Sequence, residues 1–456
     1  MDLATAARDV NGRFLGDNRR FARVVSDTRT LQADDLFVAL SGERFDGHDF
    51  VAQALGAGAA GALVSDARAG ELDGNLIVVD DPLRALGRLA AAWRARFTLP
   101  LAVVVGSNGK TTVKEMTAAV LSAHFGPDAV LATQGNLNNA IGLPLTLLRL
   151  REHHRAAVVE LGMNHRGETA ELAPLAAPTI VVVNNAQREH QEFMRSVADV
   201  ASEHADAILA LPRYGTAVIN ADDAHADVWR DAGLRAGAKI VAFGTRSDAD
   251  VRADITLRDD GSTLALSTPE GTAELRLAVP GRAMAHNALA ATATALAAGA
   301  SLRSIVQGLT AFAPVAGRLA RRTASSGAVV IDDSYNANPD SVRAAIDVLA
   351  RARGERWLVL GDMGEVGDNG PAFHREVGEY ARSAGIDRMF TTGELAKGSG
   401  AAFGRGAQHF DDVALLAASL ARESHAGITV LVKGSRFMRM ERVVAALAGA
   451  AVAEKH

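Results

Sequence analysis

The chain has 456 residues, of which 48% are hydrophobic and 22% charged, and at about 150 residues per domain this predicts roughly three soluble globular domains. Lysine and arginine total 48 against 53 aspartates and glutamates, a formal net charge of −5, which excludes the global basic field that nucleic acid or an anionic membrane would require. The absence of cysteine excludes disulfides, thiolate zinc sites, iron–sulfur clusters and a cysteine nucleophile.

Residues 1–98 are predicted to form a small α/β domain. Short apolar runs alternate with a helix from about residue 48 to 56, and a second helical pattern begins at Pro82. The strands are expected at 21–25, 36–40, 62–64 and 76–79. A Thr-Leu-Pro segment at 98–100 interrupts the second helical pattern, so we place a domain boundary after residue 98.

The sequence offers no segment that would anchor the chain in a membrane. Its first 25 residues contain five arginines among acidic residues and lack the apolar core of a signal peptide. No stretch reaches about 18 uninterrupted apolar residues. We therefore expect a cytoplasmic protein without membrane insertion and without a nucleic-acid partner, and nothing in the sequence demands more than a monomer.

Residues 99–313 are predicted to form a central domain around a parallel sheet, because the expected strands are apolar on both faces. These strands are expected at 101–105, 156–160, 179–183 and 216–220. Turn residues then separate alternating runs at 251–279, which is typical of a small β-meander. An alanine-rich helix is expected over 284–298.

Residues 314–456 are predicted to form a C-terminal α/β domain. A Phe-Ala-Pro segment ends the preceding helical pattern, and apolar runs separated by helices follow it. The strands are expected at 328–332, 357–360 and 429–432. The fold class predicted for the whole chain is therefore α/β in three domains.

The sharpest local signal is a glycine-rich turn between the strand at 101–105 and a helix. The turn and the start of the helix consist of Gly106, Ser107, Asn108, Gly109, Lys110, Thr111 and Thr112. Backbone amides there can bind phosphates, Lys110 can reach the β- and γ-phosphates, and Thr111 can ligate Mg²⁺. A full Walker A motif would need glycine at Val104, so an ordinary strand-to-helix turn is the alternative. We interpret the segment as a nucleoside triphosphate site.

Two further candidates follow neighbouring strands, at the edge where open α/β sheets bind ligands. Glu160 ends one strand, and its carboxylate suits Mg²⁺, although a solvated strand-end glutamate is the alternative. His190 follows the next strand, where a lone histidine is otherwise a surface or core residue. Their shared position favours a role for both.

Other polar side chains are candidates with an equally ordinary alternative. Three asparagines precede an apolar helix expected at 141–150 and could contact a polar substrate or metal-bound water, but Asn-Gly clusters are also simply turns. They are Asn136, Asn138 and Asn139. Arg318 could stabilise phosphoryl charge and Asp333 could accept from ribose hydroxyls, yet both could be surface charges.

Taken together, these segments resemble the ATP-dependent Mur ligases of peptidoglycan precursor synthesis, over almost the whole chain. The matching segments follow in family order: 26–29 with 35–48, 106–112, 133–139 with 141–144, 160–164, 285–288, 332–339, 361–365 and 432–436. No single segment is specific, but the ordered set is. The resemblance implies a small UDP-binding domain, a central P-loop ATPase domain with a β-meander, and a C-terminal Rossmann-like domain.

The resemblance also implies ATP and Mg²⁺ as cofactors and assigns roles to residues. Catalytic residues would be Lys110, His190 and Arg318. Nucleotide-binding residues would be Gly106, Ser107, Asn108, Gly109, Lys110, Thr111 and Thr112, with Asn287 on adenine, Arg318 on the γ-phosphate and Asp333 on ribose. Metal ligands would be Thr111, Glu160 and His190. Substrate-binding residues would be Ser26, Asp27, Thr28, Arg29, Gly47, His48, Asn136, Asn138, Asn139, Asn336, Asn338 and Lys433.

The reaction implied by the resemblance is amide formation. The segments look most like those of the member that activates the terminal carboxylate of UDP-N-acetylmuramoyl-tripeptide as an acyl phosphate. The amine of D-alanyl-D-alanine then attacks, and ADP and phosphate are released. Because a carboxylate is a poor electrophile until one oxygen becomes a phosphate leaving group, charge neutralisation by Mg²⁺, Lys110 and Arg318 is expected to dominate catalysis.

Two departures from the family pattern stand out. Many Mur ligases carry a lysine, carbamylated to act as a metal-bridging carboxylate, on the helix after the histidine segment, but residues 200–206 contain no lysine. We hypothesise that Glu203 or His204 supplies the lost interaction. The second departure is the Gln-Arg-Glu segment at 187–189, where smaller residues are expected and which the sequence does not explain.

Three other functions remain as alternatives. A sister Mur ligase or a folylpolyglutamate synthase-like amide ligase would share the ATP loop, although the first-domain segment and residues 332–339 favour the dipeptide-adding member. A non-ligase P-loop NTPase would hydrolyse ATP without an amine acceptor. A catalytically inactive scaffold would require loss of metal-site residues, which are present.

Overall fold

The computed structural model of the protein describes residues 1–43 and 45–448. Arg44, which lies in the first-domain segment of the resemblance, and residues 449–456, at the end of the expected third domain, lie outside the described residues. Across the part of the chain that is described, no helix is both long and apolar enough to cross a membrane.

The first sheet has five strands. They are β1 (Arg13–Leu15), β2 (Arg23–Val25), β3 (Asp35–Val38), β4 (Gly61–Ser65) and β5 (Leu76–Val79). The accompanying helices are α1 (Leu3–Asp9), α2 (Val51–Gly56), α3 (Asp66–Ala69) and α4 (Pro82–Arg94), with 3₁₀ turns at Thr28–Thr30 and Gly47–Phe50. The strand order is β1-β5-β4-β3-β2, with β1 antiparallel to β5 and the other neighbours parallel.

The central sheet has nine strands. They are β6 (Leu101–Val105), β7 (Val130–Ala132), β8 (Ala156–Glu160), β9 (Ile180–Val183), β10 (Thr216–Asn220), β11 (Lys239–Gly244), β12 (Val251–Leu257), β13 (Ser262–Thr268) and β14 (Gly271–Leu277). The helices are α5 (Lys110–Phe125), α6 (Gly142–Leu147), α7 (Glu168–Ala176), α8 (Val197–Leu209), α9 (Ala226–Ala236), α10 (Arg282–Ala297) and α11 (Leu302–Thr310), with a 3₁₀ turn at Pro127–Ala129. The order is β14-β13-β12-β11-β10-β9-β6-β8-β7, and the expected meander extends the sheet at one end, with β12 parallel to β11 and the β12–β13 and β13–β14 pairs antiparallel.

The third sheet has six strands. They are β15 (Ala320–Thr323), β16 (Val329–Asp333), β17 (Glu355–Leu360), β18 (Arg388–Thr392), β19 (Ala407–Phe410) and β20 (Ile428–Lys433). The helices are α12 (Pro339–Ala350), α13 (Gly370–Ser383), α14 (Ala396–Phe403), α15 (Val413–Glu423) and α16 (Glu441–Ala448), with 3₁₀ turns at Gly367–Asn369 and Arg436–Met438. The order is β15-β16-β20-β17-β18-β19, and only β15 runs antiparallel to its neighbour.

The central sheet is buried on both faces, as its apolar strands predict. Along β6, Ala102 and Val104 join the core cluster that includes α5 and α10, whereas Val103 and Val105 join the cluster on the other face, which includes α7 and α8. Full burial of one such valine stabilises the fold by about 1.5–3 kcal/mol. Because β6, β8 and β9 are parallel neighbours, the segments that follow them meet at one edge of the sheet.

The predicted α/β fold class is confirmed, with local differences. Strands β1, β7, β11, β15, β18 and β19 were not expected. The helix expected over 141–150 is shorter, since the guanidinium of Arg151 binds the carbonyls of Leu148 and Leu150, which a longer helix would use. The domain boundaries after residues 98 and 313 stay predictions, and both positions fall between sheets.

Candidate active site

The turn between β6 and α5 requires glycine at two positions. Gly106 and Gly109 have φ angles of +136° and +84°, which side-chain-bearing residues rarely adopt. A Cβ atom at Gly109 would stand 2.4 Å from Asn287 Oδ1 and 2.7 Å from Asn184 Nδ2. The turn is therefore packed directly against these amides, and its backbone leads into the N-terminus of α5, where unpaired N–H groups favour anions.

Asparagine side chains at the end of β9 hold this loop in place. Asn184 Nδ2 donates to the carbonyl of Asn108 at 2.7 Å and to Asn287 Oδ1 at 2.8 Å. Asn185 Oδ1 accepts from the Asn108 backbone N–H at 2.8 Å. Asn287, to which the resemblance assigns adenine, is buried and engaged with the loop, so its adenine contact stays a prediction.

Lys110 occupies the position that the phosphate-loop interpretation requires. Its Nζ donates to the carbonyl of Gly106 at 2.6 Å and to that of Ser107 at 3.3 Å, and it lies 3.2 Å from Glu189 Oε2. The ammonium group thus sits inside the loop whose amides would bind phosphates. It is positioned to exchange its carbonyl partners for phosphate oxygens.

Thr111 and Glu160 come together as the sequence predicts. Thr111 Oγ1 donates to Glu160 Oε2 at 2.7 Å, and Asn138 Nδ2 donates to Glu160 Oε1 at 2.7 Å. Glu160 is buried, and a hydroxyl beside a buried carboxylate is a set of hard oxygen donors that fits Mg²⁺. Within residues 1–43 and 45–448, no three carboxylate, imidazole or thiol groups already form a metal cluster. Mg²⁺ bound here would be coordinated both by these side chains and by oxygens of the nucleotide phosphates, as is usual for this ion.

Arg318 reaches this pair from the segment before β15. Its Nη2 donates to Thr111 Oγ1 at 2.8 Å, and its guanidinium carbon lies 4.3 Å from the centre of the Tyr335 ring. The contact spans two α/β units, so the third unit supplies a positive charge directly to the phosphate loop. This is the geometry in which an arginine stabilises charge on a transferring phosphoryl group.

His190 lies at the same edge in a constrained backbone conformation. Its φ angle is +50°, its Nδ1 lies 2.6 Å from Glu365 Oε2, and its Nε2 lies 3.7 Å from Glu189 Oε2. The bond to His190 lowers the pKa of Glu365. The ring therefore lies between two carboxylates, with Nδ1 towards Glu365 and Nε2 towards Glu189.

Glu189 is a buried carboxylate that the sequence analysis did not assign. Burial by itself would raise its pKa, but the charges of Lys110, His204 and His190 outweigh that effect and lower the pKa to about 2. His204 Nε2 lies 3.4 Å from Glu189 Oε1. Glu203 is elsewhere: its carboxylate accepts from the backbone N–H groups at the start of α7. Of the two residues hypothesised to replace the missing lysine, only His204 faces the site.

The third unit adds a second group of polar contacts. Lys433 Nζ donates to Asp333 Oδ2 at 2.6 Å and to the Asn336 carbonyl at 2.9 Å. Burial raises the pKa of Asp333, while the charges of Lys433 and Arg318 oppose that shift. Asn338 caps α12, and its Nδ2 donates to Asn108 Oδ1 at 2.9 Å. Asn338 thus joins the third unit to the ATP loop, and its substrate role, like that of Asn336 and Lys433, stays a prediction.

The three asparagines before α6 have different surroundings in the structure. Asn138 binds Glu160, whereas Asn139 Oδ1 accepts from the backbone N–H of Gly142 at 2.9 Å and so forms the turn into α6. Asn136 is exposed. The structure therefore places one of the three at the metal-binding pair.

The first-domain candidates are engaged within their own domain. Asp27 accepts from Arg29, and Asp46 Oδ1 lies 2.6 Å from His48 Nδ1. His48 is buried and its Nε2 accepts from the Ser65 backbone N–H at 2.9 Å. A Cβ atom at Gly47 would stand 2.6 Å from the backbone of Leu40, so the segment is tightly packed. A substrate role for these residues, and for Ser26 and Thr28, stays a prediction.

The segment at 187–189 contains contacts that the sequence analysis missed. Gln187 Oε1 accepts from Asn108 Nδ2 at 2.6 Å. The guanidinium of Arg188 donates to the carboxylate of Asp340 and to that of Glu376, and these bonds raise the pKa of Arg188. The position of this segment after β9, at the edge that already carries His190, is the signal by which these residues could have been found.

A phosphate loop, a threonine–glutamate pair suited to Mg²⁺ and an arginine from a second α/β unit together define an ATP-using enzyme. Family models described as the Mur ligase family catalytic domain, the Mur ligase middle domain and the Mur ligase glutamate ligase domain match residues 20–94, 104–295 and 317–436. The chain belongs to the Mur ligase family.

Individual relatives cover nearly the full length. UDP-N-acetylmuramoyl-tripeptide–D-alanyl-D-alanine ligase from Escherichia coli is 41% identical over 441 residues, which is 96% of each chain. A crystal structure of MurF from Acinetobacter baumannii is similar with a TM-score of 0.89 and 32% identity over 98% of both chains. The structure of MurF from Thermotoga maritima in complex with ADP has a TM-score of 0.81 and 25% identity, covering 94% of this chain and 97% of that one.

Proposed function

We propose that the chain is the ATP-dependent ligase that joins D-alanyl-D-alanine to UDP-N-acetylmuramoyl-tripeptide through an acyl phosphate, giving the pentapeptide, ADP and phosphate. The observation that carries this proposal is the contact of Arg318 with Thr111 at 2.8 Å, beside Lys110 and Glu160. It joins two domains at the point where ATP phosphates would lie. The names of the full-length relatives support the choice of substrates.

The reaction follows from the charges at this edge. Lys110 leaves the carbonyls of Gly106 and Ser107 to bind phosphate, and Arg318 approaches the same phosphates from the third domain. Thr111 and Glu160 would hold Mg²⁺, which would supply charge neutralisation at the phosphates. The tripeptide carboxylate attacks the γ-phosphate, and the dipeptide amine then displaces phosphate from the acyl group. No side-chain nucleophile is needed, since the protein only positions the reactants and stabilises charge.

The remaining assignments are part of the same proposal. The first domain binds the UDP portion through residues 26–29 and 47–48, with the polar groups at 336, 338 and 433 facing the peptide portion. The three domains divide at residues 98 and 313. We also propose that the enzyme works as a cytoplasmic monomer, since the contacts of Lys110, Thr111, Glu160 and Arg318 are all made within one chain.

Sister ligases and folylpolyglutamate synthase-like enzymes are not favoured, because the relatives reported above that carry a substrate in their names use the dipeptide. A non-ligase NTPase would release phosphate without an amine acceptor. An inactive scaffold conflicts with the intact contacts of Lys110, Thr111 and Glu160.

The test is phosphate release by the purified protein with Mg-ATP and UDP-N-acetylmuramoyl-tripeptide, measured with and without D-alanyl-D-alanine while product mass is recorded. We expect release to depend on the dipeptide and the pentapeptide product to appear. Release without the dipeptide would instead indicate an NTPase. Product formation only with a single amino acid or glutamate would indicate a sister ligase.

A further inference from the structure

Glu189 is an uncommon group, because a carboxylate with only 6% of its surface exposed lies beside the ATP loop and faces an ammonium group. One oxygen, Oε2, faces Lys110 Nζ at 3.2 Å. The other, Oε1, has no hydrogen-bond donor, although His204 Nε2 is 3.4 Å away. A buried charge with an unfilled acceptor is costly, so such a group is retained for a partner.

ATP binding would remove the main partner that Glu189 has in this structure. Lys110 follows the phosphate loop, and its ammonium must serve phosphate oxygens when the nucleotide binds. Glu189 would then remain buried opposite added negative charge and with a weaker cationic neighbour. A divalent cation, attracted by both the phosphates and the carboxylate, is the partner that restores the balance of charge.

His190 completes the donor set. Its Nε2 lies 3.7 Å from Glu189 Oε2, and two ligands of one Mg²⁺, each at about 2.1 Å, can be no more than about 4.2 Å apart. Its other nitrogen, Nδ1, lies 2.6 Å from the carboxylate of Glu365. This is the outer carboxylate that orients a metal-binding imidazole and leaves Nε2 available.

Helix α8 does not supply the carboxylate. It carries no lysine, and its Glu203 is committed to the backbone N–H groups of Gly167 and Thr169 at 2.9 and 2.8 Å. Only His204 of this helix turns towards Glu189. The carboxylate that lies beside His190 Nε2 is instead Glu189, in the segment before the histidine.

The same contacts account for the segment at 187–189. Gln187 is bound to Asn108 of the loop, and Arg188 is bound to Asp340 and Glu376 of the third domain. These two flanking attachments fix the backbone on which Glu189 is presented. Gln187 and Arg188 thus both help to place Glu189 beside the ATP loop.

The family resemblance already assigns a divalent cation to His190; we propose that Glu189, positioned by His204, is the further ligand of that cation in this chain, so that an unmodified glutamate does the work of a carbamylated lysine. This inference rests on the proposed function only in that both place ATP phosphates at Lys110. It predicts that the enzyme needs no bicarbonate.

The test uses Mn²⁺ as the probe, with a non-hydrolysable ATP analogue and the full chain. Free Mn²⁺ is measured by electron paramagnetic resonance for the wild type, Glu189→Gln and Glu203→Gln. Glu203→Gln is the matched control, because it removes a buried glutamate charge from the same region without touching the ATP loop. We expect Glu189→Gln to bind one Mn²⁺ fewer per chain, with affinity at that site at least about 100-fold weaker, since even outer-shell changes cost 10–100-fold. Glu203→Gln should match the wild type.

A second readout separates metal binding from folding. Glu189→Gln should bind UDP-N-acetylmuramoyl-tripeptide as the wild type does, and formate should restore the second Mn²⁺ to Glu189→Ala. Turnover of the wild type should not change when bicarbonate and CO₂ are removed. Wild-type Mn²⁺ stoichiometry and affinity in Glu189→Gln, or turnover that requires bicarbonate, would overturn the inference. These binding measurements use no dipeptide, so failure of the ligase function would appear separately as dipeptide-independent phosphate release.

Discussion

Around the ATP loop, polar side chains bond across long separations in the chain: Glu160 lies 49 residues from Thr111, and Arg318 lies 207 residues from it. In the loops of the first domain, Asp27 bonds with Arg29 and Asp46 with His48, each two residues away. The first region is assembled only when sheets and domains come together. The second is shaped by contacts within one domain, most of them between near neighbours and the others with Ser65 and Arg68, 17 and 22 residues away.

This difference has a physical cause. Parallel strands such as β6, β8 and β9 bring their carboxyl ends to one edge, so residues distant in sequence become neighbours there. The first-domain segments are instead turns in which an aspartate accepts from the backbone N–H two residues later. Changes around the ATP loop should therefore alter chemistry and domain closure, whereas changes in the first-domain turns should alter local stability and binding of the UDP portion.

The largest effect is expected for Lys110→Ala. It removes the cation at the centre of the long-range region, so ligation should fall about 1,000-fold or more. Binding of UDP-N-acetylmuramoyl-tripeptide, measured by calorimetry, should stay close to that of the wild type because the two regions are separate. Loss of that binding as well would show that the variant is misfolded or that the first domain is misassigned.

Arg318→Ala tests the contact that crosses domains. Loss of one donor aimed at developing charge should lower kcat about 100-fold, while the KM for the tripeptide substrate changes little. Arg322→Ala is the control, because this arginine is exposed on the nearby strand β15 and should leave turnover within about twofold of the wild type. An equal loss in both variants would argue against a direct role for Arg318.

Arg188→Gln sharpens the comparison, because it weakens the attachment of the central domain to the third domain and leaves the ATP loop intact. Arg188 links the central domain to Asp340 and Glu376, so we expect the KM for ATP to rise about tenfold, about 1.4 kcal/mol. Arg343→Gln is the control, since Arg343 also contacts Glu376 but belongs to the same domain. Added salt should raise the KM of the wild type more than that of Arg188→Gln.

The smallest effect is expected for Asp46→Asn in the first domain. Hydrogen bonds from the His48 backbone and ring, and from Ser41, hold the pKa of Asp46 below its ordinary value of 3.8. Its contribution to stability is therefore complete above about pH 4 and is lost as the pH falls through the lowered pKa. Urea unfolding should show Asp46→Asn less stable by about 1–2 kcal/mol at pH 7, with the difference shrinking below pH 4.

The outcome that would break the comparison is a change in the KM for ATP in Asp46→Asn. Such a change would mean that the first-domain turn communicates with the ATP loop. An unchanged KM beside reduced stability would support the division into a site assembled across domains and a turn stabilised within one.

Residues on regular elements were the most predictable. The glycines of the ATP loop, Lys110 and Thr111 follow from a buried strand that leads into a helix, and Glu160 follows from its place at the end of β8. The three asparagines before α6 could not be separated by sequence, because their amides are chemically alike. Only the position of Glu160 selects Asn138 for contact and leaves Asn139 to form the turn.

Glu189 and Glu203 show most clearly where sequence reasoning ended. Both glutamates are buried, yet Glu189 faces Lys110 whereas Glu203 accepts from the backbone N–H groups at the start of α7. The missing lysine directed attention to α8, whereas the carboxylate comes from the preceding segment. The orientation of a side chain on a loop depends on what packs against it, and here Asp340 and Glu376 of another domain hold the neighbouring Arg188.

By itself, the sequence determined the α/β class, the phosphate loop and the family, because apolar periodicity and glycine spacing act over a few residues and can be recognised locally. The tertiary structure alone decided which charged and polar groups meet: Arg318 with Thr111, Glu189 with Lys110, and Arg188 with the third domain. The physical reason is that the energy of a charge depends on its burial and on its neighbours within a few ångströms, and folding sets both.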